Sequence, residues 1–108
     1  MQVDIEVEDD AVTAYISGEI DHHNAPSVRR EVDMAVERVY PEKLVLDLGR
    51  VTFMDSSGIG LIMGRWKLMQ TISGELVVAN APDYIKKVMR VAGLEKLCQA
   101  QRKEAAVK

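Results

Sequence analysis

At 108 residues the chain has the length of one domain, and 47% hydrophobic with 29% charged residues is the balance of a soluble globular protein. Its charges sum to 14 − 17 = −3 with the histidines neutral, which argues against broad nucleic-acid binding and against docking on anionic lipid, since both draw on a basic face. The single cysteine, Cys98, excludes an internal disulfide and a cysteine-built zinc site and fits a reducing cytoplasm.

The longest run built only of apolar residues and glycine is Gly58 to Gly64, far short of the roughly 20 residues that span a bilayer. The start, Met1-Gln2-Val3-Asp4-Ile5-Glu6, is acidic and alternating, whereas a secretory signal opens basic and continues apolar. A cytoplasmic protein is expected. Residues 1–98 read as one domain without an internal linker. Gln99–Lys108 loses apolar character and is expected to be loosely held.

In chain order, Val3, Ile5 and Val7 alternate with acids, and Val12, Ala14 and Ile16 alternate with Thr13, Tyr15 and Ser17. Period two on both sides of Asp9-Asp10 predicts two strands joined by a turn. Asn24, followed by Pro26, marks the start of a helix. Val28, Val32, Ala35, Val36 and Val39 give it an apolar face, and it ends before Pro41. Leu44-Val45-Leu46-Asp47-Leu48 reads as a central strand covered on both faces.

A second helix begins at Asp55 or Ser56 and runs to about Ile72, with Ile59, Ile62, Met63, Trp66 and Met69 as its apolar stripe. Leu76-Val77-Val78-Ala79 forms a fourth strand. Pro82 opens a third helix that buries Ile85, Val88, Met89 and Ala92, with Gly93 at its C-terminal end. The expected fold is α/β: a mixed sheet of four to five strands with flanking helices.

The most informative segment is Phe53-Met54-Asp55-Ser56-Ser57-Gly58-Ile59-Gly60, between a core strand and a helix. A Ser or Asp at a helix start is ordinary capping. Three features exceed capping. Two hydroxyls and a carboxylate stand in succession. Gly58, Gly60 and Gly64 occupy the first helical turns, each costing roughly 1 kcal/mol against Ala. At about 100° per residue, Ser56, Gly60, Gly64 and Lys67 fall in one narrow sector of the helix. Such a bald stripe either admits another molecule's backbone or packs on the protein's own sheet. A phosphate on Ser56 would meet free N–H groups and the positive end of the helix dipole. Its added charge would therefore act on a partner rather than on the fold, with Asp55 adding repulsion.

The second informative segment is Gly18-Glu19-Ile20-Asp21-His22-His23-Asn24, a loop between strand and helix. Adjacent histidines do not readily share one ion, and no zinc-hydrolase spacing is present, so no metal or other cofactor is expected. The loop reads as hydrogen-bonded and solvated, with Asp21 or Asn24 capping the helix, or as an acidic contact for a cationic partner group.

Taken together, Gly-Glu-Ile-Asp-His-His at 18–23 and Phe-Met-Asp-Ser-Ser-Gly-Ile-Gly at 53–60, followed by Gly64-Arg65-Trp66-Lys67, resemble the STAS-domain anti-sigma factor antagonists. The nearest resemblance is to the sporulation (SpoIIAA-type) members of spore-forming Firmicutes. Asp-Ser-Ser-Gly marks the wider family, and its combination with Asp-His-His is more specific. The resemblance implies a small α/β domain, monomeric when free and without catalytic activity. It implies a dimeric, ATP- or ADP-bound anti-sigma factor that is also a serine kinase as partner, and release of the sporulation sigma factor on binding. It further implies phosphorylation of Ser56 as the off-switch and a serine phosphatase that reverses it. In that picture Asp55 flanks the phosphoacceptor and Ser57 is a second capping hydroxyl. Gly58, Gly60 and Gly64 admit the kinase, and Glu19 and Asp21 meet a basic group on it.

Other readings are a stress-response antagonist of the same family and a ligand-binding STAS module. A hydrolase with Ser56 as nucleophile and His22 or His23 as base is disfavoured, because Met54-Asp55-Ser56-Ser57-Gly58 lacks the first glycine of a nucleophile elbow. A nucleotide site is disfavoured because Gly58, Gly60 and Gly64 miss the dinucleotide spacing and no phosphate loop exists.

Overall fold

The computed structural model describes residues 2–97; the expected loose tail at 99–108 and Cys98 lie outside them. Strands β1 (Val3–Glu8) and β2 (Ala11–Ile20) form an antiparallel hairpin, with Asp9 at φ +54° in the turn. The register sets Val3 opposite Ile16, Ile5 opposite Ala14 and Val7 opposite Val12. The apolar members of both strands therefore share one face. Helix α1 (Ala25–Val39) buries Val28, Val32, Ala35 and Val36 against that face and ends on Tyr40 at φ +51°, just before Pro41.

Strand β3 (Lys43–Met54) runs parallel to β2 and to β4 (Glu75–Ala79), giving the order β1-β2-β3-β4. Helix α2 (Ser56–Thr71) links β3 to β4, and α3 (Asp83–Val91) follows β4. The four-stranded mixed sheet matches the expected fold class. One continuous core joins Val12, Ala14 and Ile16 to Leu44, Leu46 and Leu48, to Val28 and Val32 of α1, to Leu61, Ile62 and Met69 of α2, and to Ile85 and Met89 of α3.

Three expectations need correction, the smallest being that α3 buries Ile85 and Met89 while Ala92, past its last residue, is exposed. Strand β3 is central in order but covered on one face: Leu44, Leu46 and Leu48 are fully buried, while Lys43, Val45 and Asp47, which alternate with them, are only half-buried. An aspartate inside a nearly continuous apolar run is the trace of that open face. The stripe assigned to α2 is also rotated. Its buried residues are Gly58, Leu61, Ile62, Arg65 and Met69, whereas Met63 and Trp66 stay more than 40% exposed. Apolar residues occur on most sides of this helix, so periodicity alone does not fix its rotation. In the observed setting Arg65 turns inward beside Asp33 of α1.

Candidate partner-binding site

The sheet brings the two informative segments together. In the parallel pair β2–β3, Glu19 lies beside Phe53 and Ile20 beside Met54, and Asp55 N–H donates to the Ile20 carbonyl at 3.3 Å. Both strands end at the same edge: Gly18, Glu19 and Ile20, expected in the loop, instead complete β2, and the shorter Asp21–Asn24 loop and the start of α2 emerge side by side. The carboxyl ends of parallel strands are where α/β folds carry their sites.

The loop is tied down. The Glu19 carbonyl accepts from Gln2 Nε2 at 2.7 Å and from Asn24 Nδ2 at 2.9 Å. Asp21 Oδ1 accepts from the His23 and Asn24 backbone N–H groups, each at 3.0 Å. Asp21 therefore shapes the entry to α1, whereas Asn24 occupies the N-cap position without a side-chain cap bond. The Glu19 side chain is exposed. The His22 and His23 rings lie 4.1 Å apart, tilted by 36°. Among the described residues no group of three His, Cys, Asp or Glu side chains is placed to hold a metal ion.

At the start of α2 the cap is Asp55, in extended conformation, whose carboxylate accepts from Ser57 N–H at 2.8 Å. Ser57 contributes its backbone N–H to the cap rather than acting as the capping hydroxyl. Because Asp55 satisfies an orphan donor of the first turn, the helix start does not depend on the hydroxyl of Ser56, which is exposed. Gly58 does not lie on the outer surface as expected. It is buried, and a Cβ there would overlap Met54 Cγ and approach Ile20 Cγ2 at 3.2 Å. Its lack of a side chain lets α2 sit closely on the ends of β2 and β3. Gly60 and Gly64 differ: a Cβ at either position would meet nothing within 4 Å. The stripe of Ser56, Gly60 and Gly64 is thus an open surface, with exposed Lys67 beyond it.

The residue that the sequence reading missed is Arg65. Its side chain is only 9% exposed and its Nε lies 2.9 Å from Oδ1 of Asp33 on α1, whose side chain is 28% exposed. The contact is not aligned as a hydrogen bond, and Arg65 Nη1 has no hydrogen-bond partner. Burial pushes the Asp33 carboxyl up, with Arg65 opposing, and burial likewise lowers the Arg65 guanidinium, with Asp33 opposing. The available signal was an aspartate on α1 directly after buried Val32.

A family model described as STAS domain matches residues 2–106. An anti-sigma F factor antagonist of Paenibacillus polymyxa is 36% identical over 97 residues, covering 90% of this chain and 83% of its own. An anti-sigma-B factor antagonist of Listeria monocytogenes is 29% identical over 111 residues, covering 96% and 93%. Among solved structures, the anti-sigma factor antagonist SpoIIAA in its unphosphorylated form superposes with TM-score 0.79 at 27% identity, over 88% of this chain and 84% of that one. The phosphorylated form of the Bacillus cell fate determinant SpoIIAA gives TM-score 0.72 at 27% identity, over 88% and 86%. Among the described residues no helix is long and apolar enough to cross a membrane.

Proposed function

The chain belongs to the STAS-domain family and is an anti-sigma factor antagonist, and we propose that it works as a phospho-switch with Ser56 as the switch residue. Unphosphorylated, it binds an anti-sigma factor that is also a serine kinase and so frees a sigma factor. Phosphorylated on Ser56, it lets go, and a serine phosphatase restores it. Its role is regulatory rather than catalytic. It acts in the cytoplasm.

One observation carries this reading. Ser56 is exposed at the first turn of α2 while the neighbouring Asp55 does the capping. Its hydroxyl is therefore free for chemistry without unmaking the helix. The open stripe of Gly60 and Gly64 next to it lets a second backbone come close. A phosphate carrying about −1.5 to −2 charges there would be tolerated by the helix dipole and repelled by Asp55. The change would fall on the partner surface. The relatives support the same reading, since SpoIIAA has been solved in phosphorylated and unphosphorylated forms.

The 36% identity to an anti-sigma F factor antagonist, against 29% for the Listeria anti-sigma-B factor antagonist, favours the sporulation branch. The test is intact-protein mass after incubation with an anti-sigma F kinase and ATP, with Ser56→Ala alongside. The parent should gain one phosphoryl group. The variant should gain none and still bind the kinase. A phosphoryl group on the variant would move the switch to another residue. A parent that is neither bound nor modified would remove the reading.

A further inference from the structure

Between the N-terminal ends of α1 and α2 lies an open groove of about 270 Å³, lined among others by His22 and Arg29 from the α1 side and by Ser57, Gly60, Gly64 and Arg65 from α2. Its lining carries two guanidiniums and no carboxylate. Two guanidiniums, Arg29 and Arg65, share one nearby carboxylate, Asp33, with Glu37 a turn farther along α1. Arg29 stands close enough to Arg65 for its charge to disfavour that of Arg65. Arg65 is itself more than nine-tenths buried, and its Nη1 lacks a hydrogen-bond partner. The two helices that frame the groove both point their positive ends toward this edge of the sheet. Two bald positions, Gly60 and Gly64, keep the wall open along the helix stripe that begins at Ser56.

We propose that this groove is a phosphoryl-binding site in which Arg29 supplies the mobile cation. A tetrahedral dianion suits its size and the two guanidiniums of its lining, and guanidinium groups bind such anions through paired N–H donors. Exposed Arg29 can swing onto the anion, while Arg65, held by Asp33, contributes field rather than reach. The group has two possible sources: the phosphoryl on Ser56, which rests on the function proposed above, and free phosphate. In the first case Arg29 turns the phosphate along the groove, so the modification both charges the bald stripe and covers it. A loss of partner binding then comes from a changed surface as well as from repulsion.

The test has two arms, each run on the parent, on Arg29→Ala and on Arg30→Ala as a control for net charge. In the first, phosphorylation is verified by mass, and the phosphoserine is then titrated by phosphorus NMR. Capture by Arg29 lowers its second ionisation below the ordinary value near ~6. Arg29→Ala should return the midpoint upward by about half a unit or more, and Arg30→Ala should leave it in place. In the second arm inorganic phosphate is added to the unphosphorylated protein, and the amides of Ser57 and Gly60 are followed. Saturable shifts that weaken at least about fivefold in Arg29→Ala assign a site for free phosphate.

A response in the first arm alone identifies the covalent phosphoryl as the occupant. A response in the second alone identifies free phosphate. Identical behaviour of parent and Arg29→Ala in both arms overturns the site. If no phosphoryl group can be placed on Ser56, the function proposed above fails at the mass measurement, and the second arm still decides the groove.

Discussion

Gly58 and Gly60 stand two residues apart on one helix, yet a side chain at the first would overlap Met54 and a side chain at the second would meet nothing within 4 Å. The same residue type thus serves opposite ends on the two flanks of α2. On the packed flank, Gly58, Leu61, Ile62, Arg65 and Met69 are buried, and the missing side chain allows helix and sheet to touch. On the bald flank, Ser56 and Gly60 face outward, and the missing side chains give the protein nothing in return for weakened helix propensity. A destabilising feature without an internal use points to an external one. The two flanks should therefore answer substitution with opposite signs.

The largest effect belongs to the packed flank. Arg65→Ala removes a buried cation from beside Asp33 and leaves a void between α1 and α2. A loss of about 2–4 kcal/mol is expected, read from urea unfolding. A loss below about 1 kcal/mol would mean that Arg65 is a surface residue in solution and that the packed flank is drawn too wide. Next comes Gly58→Ala. Overpacking costs typically about 1–3 kcal/mol and the better helix propensity returns about 1, so a net loss of about 1–2 kcal/mol is expected. A stabilised Gly58→Ala would erase the distinction between the flanks.

The bald flank should respond in reverse. Gly60→Ala and Gly64→Ala should each raise stability by about 0.5–1 kcal/mol, since the new methyl meets open space. Both should weaken binding to the anti-sigma kinase. Gly60→Asp and Gly64→Asp should weaken binding more, by adding charge and bulk, while circular dichroism shows an intact fold. Full-strength binding by the alanine and aspartate variants would sink the interface assignment. Unfolded aspartate variants would turn the stripe back into internal packing.

Much of this arrangement was legible beforehand. The hairpin alternation, the Val28-Val32-Ala35-Val36 face of α1 and the helix start at Asp55 and Ser56 follow from local chemistry, and each stands where expected, although β3 runs past the expected Leu48 to Met54. The rotation of α2 was not legible, because Ile59, Leu61, Ile62 and Met63 offer apolar surface on several sides at once. The flank that is buried includes Arg65, whose partner Asp33 stands 32 positions earlier in the chain, and a single sequence carries no periodic signal for such a contact. The same limit applies to the glycines. Sequence shows that three lie in one helix, but only the placement of Met54 and Ile20 separates Gly58 from the other two.

The smallest effect is the most discriminating for the ion pair on the packed flank. Burial raises the Asp33 carboxyl above the ordinary carboxylate value, with Arg65 pulling the other way, Glu37 adding to the rise and Arg29 opposing it. The folded protein then holds the Asp33 proton more readily than the unfolded chain. The stability linked to that proton is fully present below the unfolded value of about 3.9 and is lost as pH rises through the raised folded value. Asp33→Asn mimics the protonated form at every pH. It should therefore cost little near neutrality, in contrast to Arg65→Ala, and the parent should lose ground against it as pH rises from about 4 toward about 7. Urea midpoints of the two proteins across that range measure the slope. A parent that gains on Asp33→Asn with rising pH would show that the Arg65 attraction exceeds the burial cost, and that the pair binds α1 to α2 rather than merely satisfying a charge that the fold has enclosed.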